Sequence, residues 1–127
     1  MAGKETRSDP PYVLFVEADA PLRADVGEAL YANGFVPLLA ADAADAAHVT
    51  AGARVPVLVV LDLDLLGEPA ELLARLRADT RWETVPVIVT GSTAELPGQM
   101  QVDGLLPKPF ELGRLVSLAR QSVAHMQ

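Results

Sequence analysis

The sequence has no cysteine and only two histidines, His48 and His125. The first absence excludes disulfides and thiolate metal sites. The second leaves no spacing that suggests a histidine metal site. Aromatic residues make up only 5% of the chain while half of it is hydrophobic, so the core must be mostly aliphatic. Basic residues are outnumbered, 10 against 17 acids, for a net charge of −7. That argues against a nucleic-acid partner, which needs a basic patch. No apolar segment opens the chain, so no signal peptide is expected. No apolar run approaches membrane-spanning length, so no membrane partner is expected. A Gly-rich phosphate loop and a nucleophile–base pair are both missing, which argues against a metabolic enzyme. What these absences leave is a soluble cytoplasmic protein, and 127 residues suffice for one compact domain.

What is present centres on Val55 to Gly67, VPVLVVLDLDLLG. Its apolar run, Val57 to Leu61, reads as a strand buried on both faces. The run ends in Asp62, with Asp64 two residues on. An acid at the exit of such a strand lies where open α/β sheets place their chemistry. The plainer reading is that Asp62 caps the next turn.

Taken in order, Met1 to Pro11 reads as a flexible leader, and Tyr12 to Gln127 as the folded domain. Tyr12 to Val16 is a buried strand that exits into Glu17-Ala18-Asp19. Pro21 suits a first helical turn. Leu22, Val26, Ala29, Leu30 and Asn33 share one helix face, leaving Arg23, Asp25 and Glu28 for the wet side. Asn33-Gly34 stops that helix. Phe35 to Leu39 is a second strand, and its Pro37 assigns it to a sheet edge. Asp42 caps a short alanine-rich helix that reaches about Ala51 and ends at Gly52. After the central strand, Glu68-Pro69 opens a third helix, with Leu72, Leu73 and Leu76 inward and Glu71, Arg75 and Arg77 outward. Val85 to Val89 is a fourth strand, ending in Thr90-Gly91. Pro97-Gly98 interrupts any helix in the ambiguous stretch from Ser92 to Val102. Gly104 to Leu106 is a short fifth strand, Pro107-Lys108-Pro109 a rigid turn, and Leu112 to Val123 a final amphipathic helix.

Strands alternating with helices predict a parallel sheet with right-handed crossovers. The fold class is therefore α/β, a flavodoxin-like (βα)5 doubly wound five-stranded sheet of order 2-1-3-4-5. Its switch point lies between strands one and three, the two that end in acids. Glu17, Asp19, Asp62 and Asp64 then gather at one end of the sheet, with Thr90 and Lys108 approaching from the other side. Clustered carboxylates favour a cation; magnesium takes oxygen ligands and often one or two carboxylates. An aspartate, a divalent cation, a lysine and a hydroxyl together support phosphoryl transfer onto a carboxylate. Each residue alone has a plainer role: Lys108 as a solvated lysine, Thr90 as a strand end, Asp19 as a helix cap. Their joint placement favours the chemical role.

From Tyr12 to Val123 the chain resembles the receiver domains of two-component response regulators (the CheY-like superfamily). The resemblance rests on YVLFVEAD, VPVLVVLDLDLLG, VPVIVTG and GLLPKPF in that order. It implies Asp62 as phosphoacceptor, Thr90 as the hydroxyl that turns toward the phosphoryl group and Lys108 as its cationic partner. It implies Pro109 as the proline after a usually cis bond. It implies magnesium (Mg2+) as cofactor, held by Asp62, by the backbone carbonyl of Asp64 and by Glu17 through water, with Asp19 a further candidate ligand. It implies a histidine kinase or phosphotransfer protein as partner.

The chain also departs from the family. Ala18 stands where the direct metal-binding carboxylate is expected, so the acidic pair is degenerate and magnesium binding is expected to be weak or absent. Leu66 replaces a common proline, and Leu105 a common aromatic switch residue. Thr90 and Lys108 are 18 positions apart, about one helical turn short of the family's usual spacing. The altered face, formed by residues 92–102, the fifth strand and the last helix, is expected to bind an output protein or a second copy, with Leu105 adding apolar surface. The alternative function is a pseudo-receiver that binds proteins without phosphorylation.

Overall fold

The computed structural model describes residues 9–65, 69–91 and 102–125. Among these residues, five strands and four helices follow in order: β1 (Tyr12–Val16), α1 (Ala20–Ala32), β2 (Val36–Ala40), α2 (Ala43–Thr50), β3 (Leu58–Asp62), α3 (Pro69–Ala78), β4 (Val87–Gly91), β5 (Gly104–Pro107) and α4 (Leu112–His125). The strands form one parallel sheet of order β2-β1-β3-β4-β5. This is the flavodoxin-like order expected from the sequence, with the proline-bearing β2 and the short β5 at the edges.

Residue alternation along the strands builds two cores. Leu14, Val16, Val59, Leu61, Val87 and Val89 pack on one face with Ala46 of α2 and with Leu72 and Leu73 of α3. Val13, Phe15, Leu58, Val60 and Ile88 pack on the other with Val26 and Leu30 of α1 and with Leu115, Val116 and Ala119 of α4. Because helices cover both faces, the three central strands are apolar up to their last residues, which is why they read as hydrophobic runs.

Several local expectations change. The second strand begins at Val36, not Phe35; Phe35 is buried just before it, its N–H donating to the Leu30 carbonyl at 3.0 Å. The fourth strand begins at Val87, not Val85, because Val85 still belongs to the turn that its N–H closes on the Trp82 carbonyl at 3.1 Å. Asn33 is exposed at the end of α1 and its side chain donates to the Ala29 carbonyl at 2.7 Å. Arg77 is only partly exposed: its Nη1 donates to the carbonyls of Val85 at 2.7 Å and Glu83 at 3.0 Å. Leu105 is half-buried against the core under α2 and α3, because inward positions of a parallel edge strand still meet the helix layer. The expectations for Leu66, Glu68 and the stretch 92–101 lie outside the described residues.

Candidate functional site

Each central strand delivers one side chain to the same end of the sheet. Glu17 follows β1 directly, and its N–H donates to the Ala40 carbonyl at 2.9 Å, extending the ladder by one bond. Asp62 closes β3 and pairs in register with Thr90 on β4. Paired residues on neighbouring strands present their side chains to the same face, so carboxylate and hydroxyl are adjacent. Lys108 follows β5; its N–H is fixed to the Gly91 carbonyl at 2.8 Å, and the Lys108–Pro109 bond is cis.

The Lys108 ammonium bridges the two acids. It lies 2.8 Å from Glu17 Oε1 and 3.2 Å from Asp62 Oδ1. Glu17 and Asp62 are each 1% exposed. Burial raises the Glu17 carboxyl above its ordinary value, and the nearby Asp62 charge adds to that, against the opposing pull of Lys108 and of the Asp19 N–H. Burial acts on Lys108 in the opposite sense, but the Glu17 hydrogen bond and the charges of Asp62 and Glu17 outweigh it and leave the ammonium above its ordinary value.

Thr90 is fully buried, and its Oγ1 has no hydrogen-bond partner among the described residues. A buried hydroxyl left unpaired costs free energy.

The other sequence-derived residues have different surroundings. The Asp19 side chain is exposed; Asp19 occupies the N-cap of α1 without a side-chain cap bond, while its N–H donates to Glu17 Oε2 at 3.1 Å. Asp64 is exposed, and its N–H donates to Asp62 Oδ1 at 2.8 Å. Ala18 is exposed and offers no side-chain oxygen. Among the described residues, no three histidines or acids converge on one point. Glu17 Oε2 and Asp62 Oδ1 accept hydrogen bonds from protein donors, and Glu17 Oε1, which accepts none among the described residues, faces the Lys108 ammonium as an ion pair. This donor set fits magnesium poorly, since a hard cation needs free oxygens in near-octahedral array.

Arg23, expected on the wet side of α1, lies instead against the site. It is half-buried, and its Nη1 donates to the Glu17 carbonyl at 2.7 Å and lies 3.4 Å from the Ala18 carbonyl. The guanidinium thus holds the loop that carries Glu17. The available signal was an arginine in the first helical turn after a strand-end acid.

No protein-family model matches the chain. PetR of Rhodobacter capsulatus is 33% identical over 107 residues, which are 82% of this chain and 45% of PetR. The chain therefore spans less than half the length of that relative. Among solved structures, the chemotaxis protein CheY4 of Vibrio cholerae superposes with a TM-score of 0.77 at 21% identity, over 89% of this chain and 98% of that one. A CheY-like response-regulator receiver domain protein from Methanospirillum hungatei gives 0.77 at 19% identity, over 91% of this chain and 95% of its own. The chain has the receiver-domain fold. Within the receiver fold, Glu17, Asp62, Thr90 and Lys108 form a single cluster. A separate cleft of about 240 Å³ lies beside the C-terminal ends of α2 and α3, lined by Thr50, Gly52, Arg75 and Trp82. Arg75 there pairs with Glu71 at 3.7 Å. Among the described residues, no helix is long and apolar enough to cross a membrane.

Proposed function

We propose that the chain is a response-regulator receiver domain that accepts a phosphoryl group on Asp62 from a histidine kinase or phosphotransfer protein. The observation that carries this reading is the buried, unpartnered Thr90 hydroxyl next to the Asp62 carboxylate, with the Lys108 ammonium 3.2 Å from Asp62 Oδ1. A carboxylate oxygen of Asp62 attacks phosphorus, the P–N bond to the donor imidazole breaks, and the nitrogen keeps the electron pair. Lys108 then pairs with the phosphoryl oxygens, and Thr90 donates to one of them. The new charge biases the surrounding loops toward a second arrangement. The protein in this reading is a non-enzymatic signalling component of the cytoplasm. An output protein or second copy would engage the face of β5 and α4.

A second reading, the pseudo-receiver that works without phosphate, is favoured by the 1% exposure of Asp62 and by Ala18. Intact-mass measurement after incubation with a small acyl phosphate separates the two. A single phosphoryl adduct on the wild type that is absent from Asp62→Asn supports the acceptor role. No adduct on either supports the binding module.

A further inference from the structure

The pocket holds two buried carboxylates and one ammonium. Burying a pair of like charges side by side is costly unless a counter-charge lies between them. A divalent ion is one way to supply it. Here the counter-charge is built into the chain. Lys108 touches both acids, Glu17 Oε2 is bound by the Asp19 N–H, and Asp62 Oδ1 by the Asp64 N–H. Glu17 is held in turn from behind, because Arg23 grips its backbone carbonyl at 2.7 Å. Glu17 Oε1 accepts no hydrogen bond among the described residues and has the Lys108 ammonium 2.8 Å away as its counter-charge, and Ala18 adds no oxygen.

We propose that Lys108 is the resident cation of this pocket, positioned by Glu17, and that it takes the place of a divalent ion. Glu17 is then a positioning residue for Lys108 and not a metal ligand. A metal ion entering beside the ammonium would meet a positive charge already paired with both acids. Removing the ammonium reverses this: the two acids lose their counter-charge, their oxygens open, and the pocket gains a need for a divalent ion. The proposal deepens the phosphoacceptor reading, and its claim about acceptor chemistry rests on that reading: phosphorylation of Asp62 would not need magnesium. The claim about metal binding stands apart from it.

The test titrates magnesium into wild type, Lys108→Met and Lys108→Arg, followed by thermal melting and calorimetry. Wild type and Lys108→Arg are expected to show no saturable binding up to about 10 mM and no rise in melting temperature. Lys108→Met is expected to melt lower in chelator and to regain about 4 °C in ~10 mM magnesium, the shift given by a millimolar site at tenfold excess. Saturable binding by the wild type below about 1 mM would overturn the proposal, and needs no variant to fold. A Lys108→Met protein that folds yet ignores magnesium would overturn it too. In a parallel arm, acyl phosphate labelling of the wild type is expected to differ less than about twofold between magnesium and chelator; a tenfold dependence on magnesium would contradict the proposal. Absence of any adduct would instead defeat the acceptor role of Asp62 and leave the titration result standing.

Discussion

Lys108 determines whether the two buried acids are tolerated. Replacing it by Met removes one partner of a buried ion pair and strands the others, so the expected loss in urea denaturation at neutral pH is about 3–5 kcal/mol. The pH dependence follows from the direction of its shift. The folded-state ammonium titrates above the ordinary value of 10.5. Its contribution is therefore fully present below 10.5 and is lost as pH rises through the folded value. The stability gap between wild type and Lys108→Met is expected to hold from neutral pH to about pH 10 and to close only above it; a gap that closed near neutrality would contradict this. Ala18 gives the complementary case. Ala18→Asp adds a carboxylate oxygen beside the pocket, and it is expected to tighten magnesium by roughly tenfold from a wild-type affinity weaker than about 10 mM. It is also expected to lower stability in chelator, because a third acid joins Glu17 and Asp62. Calorimetry on both proteins checks the first expectation and chelator-buffered melts the second. Asp62, Thr90 and Lys108 were all legible in the sequence, since each stands at a strand end. The bond from Lys108 to Glu17 was not, because which of two nearby acids an ammonium prefers depends on atom positions that spacing does not fix.

At the scale of elements, two polar clamps hold short segments. Asp42 Oδ1 accepts the Asp45 N–H at 2.8 Å, and Asp45 Oδ2 accepts the Ala41 N–H at 2.9 Å, so the first turn of α2 is capped reciprocally. Of the α2 residues, only Ala46 is buried, which leaves the cap a large share of the helix's stability. Asp42→Ala is expected to cost about 1 kcal/mol in urea denaturation, with amide exchange rising first in α2. Arg77 clamps the turn between α3 and β4 through the Glu83 and Val85 carbonyls, and lies 3.7 Å from Asp103 at the entrance to β5. Arg77→Met is expected to cost about 1.5–3 kcal/mol, the range for hydrogen bonds to a charged group. The cap at Asp42 was readable, because Asp before an alanine run is a local signal. Arg77 was assigned to the wet face because helical periodicity ranks charge as outward. It misses a long side chain that folds back over the end of its helix to unpaired carbonyls. Arg23 was misplaced for the same reason.

At the scale of the molecule, the sheet order follows from the contrast between β1, β3 and β4, apolar on both faces, and the proline-bearing or short edge strands. That order brings the exits of β1, β3, β4 and β5 together and makes one pocket from residues up to 91 positions apart in the chain. Alternation of elements and the acids at the strand ends made this much legible. Strand bounds shifted by one or two residues where a turn claimed the flanking apolar positions, as at Phe35 and Val85. Leu105, expected to add apolar surface to a partner face, packs partly against the core. The central claim is that this pocket directs a phosphoryl group to one oxygen-bearing side chain, Asp62. The most direct test labels the protein with an acyl phosphate, reduces the acyl phosphate adduct with borohydride, and locates the resulting homoserine by peptide mass spectrometry. Homoserine at position 62 alone is the predicted result; homoserine at Asp19 or Asp64, 2-amino-5-hydroxyvaleric acid at Glu17, or no conversion at any position, would contradict it.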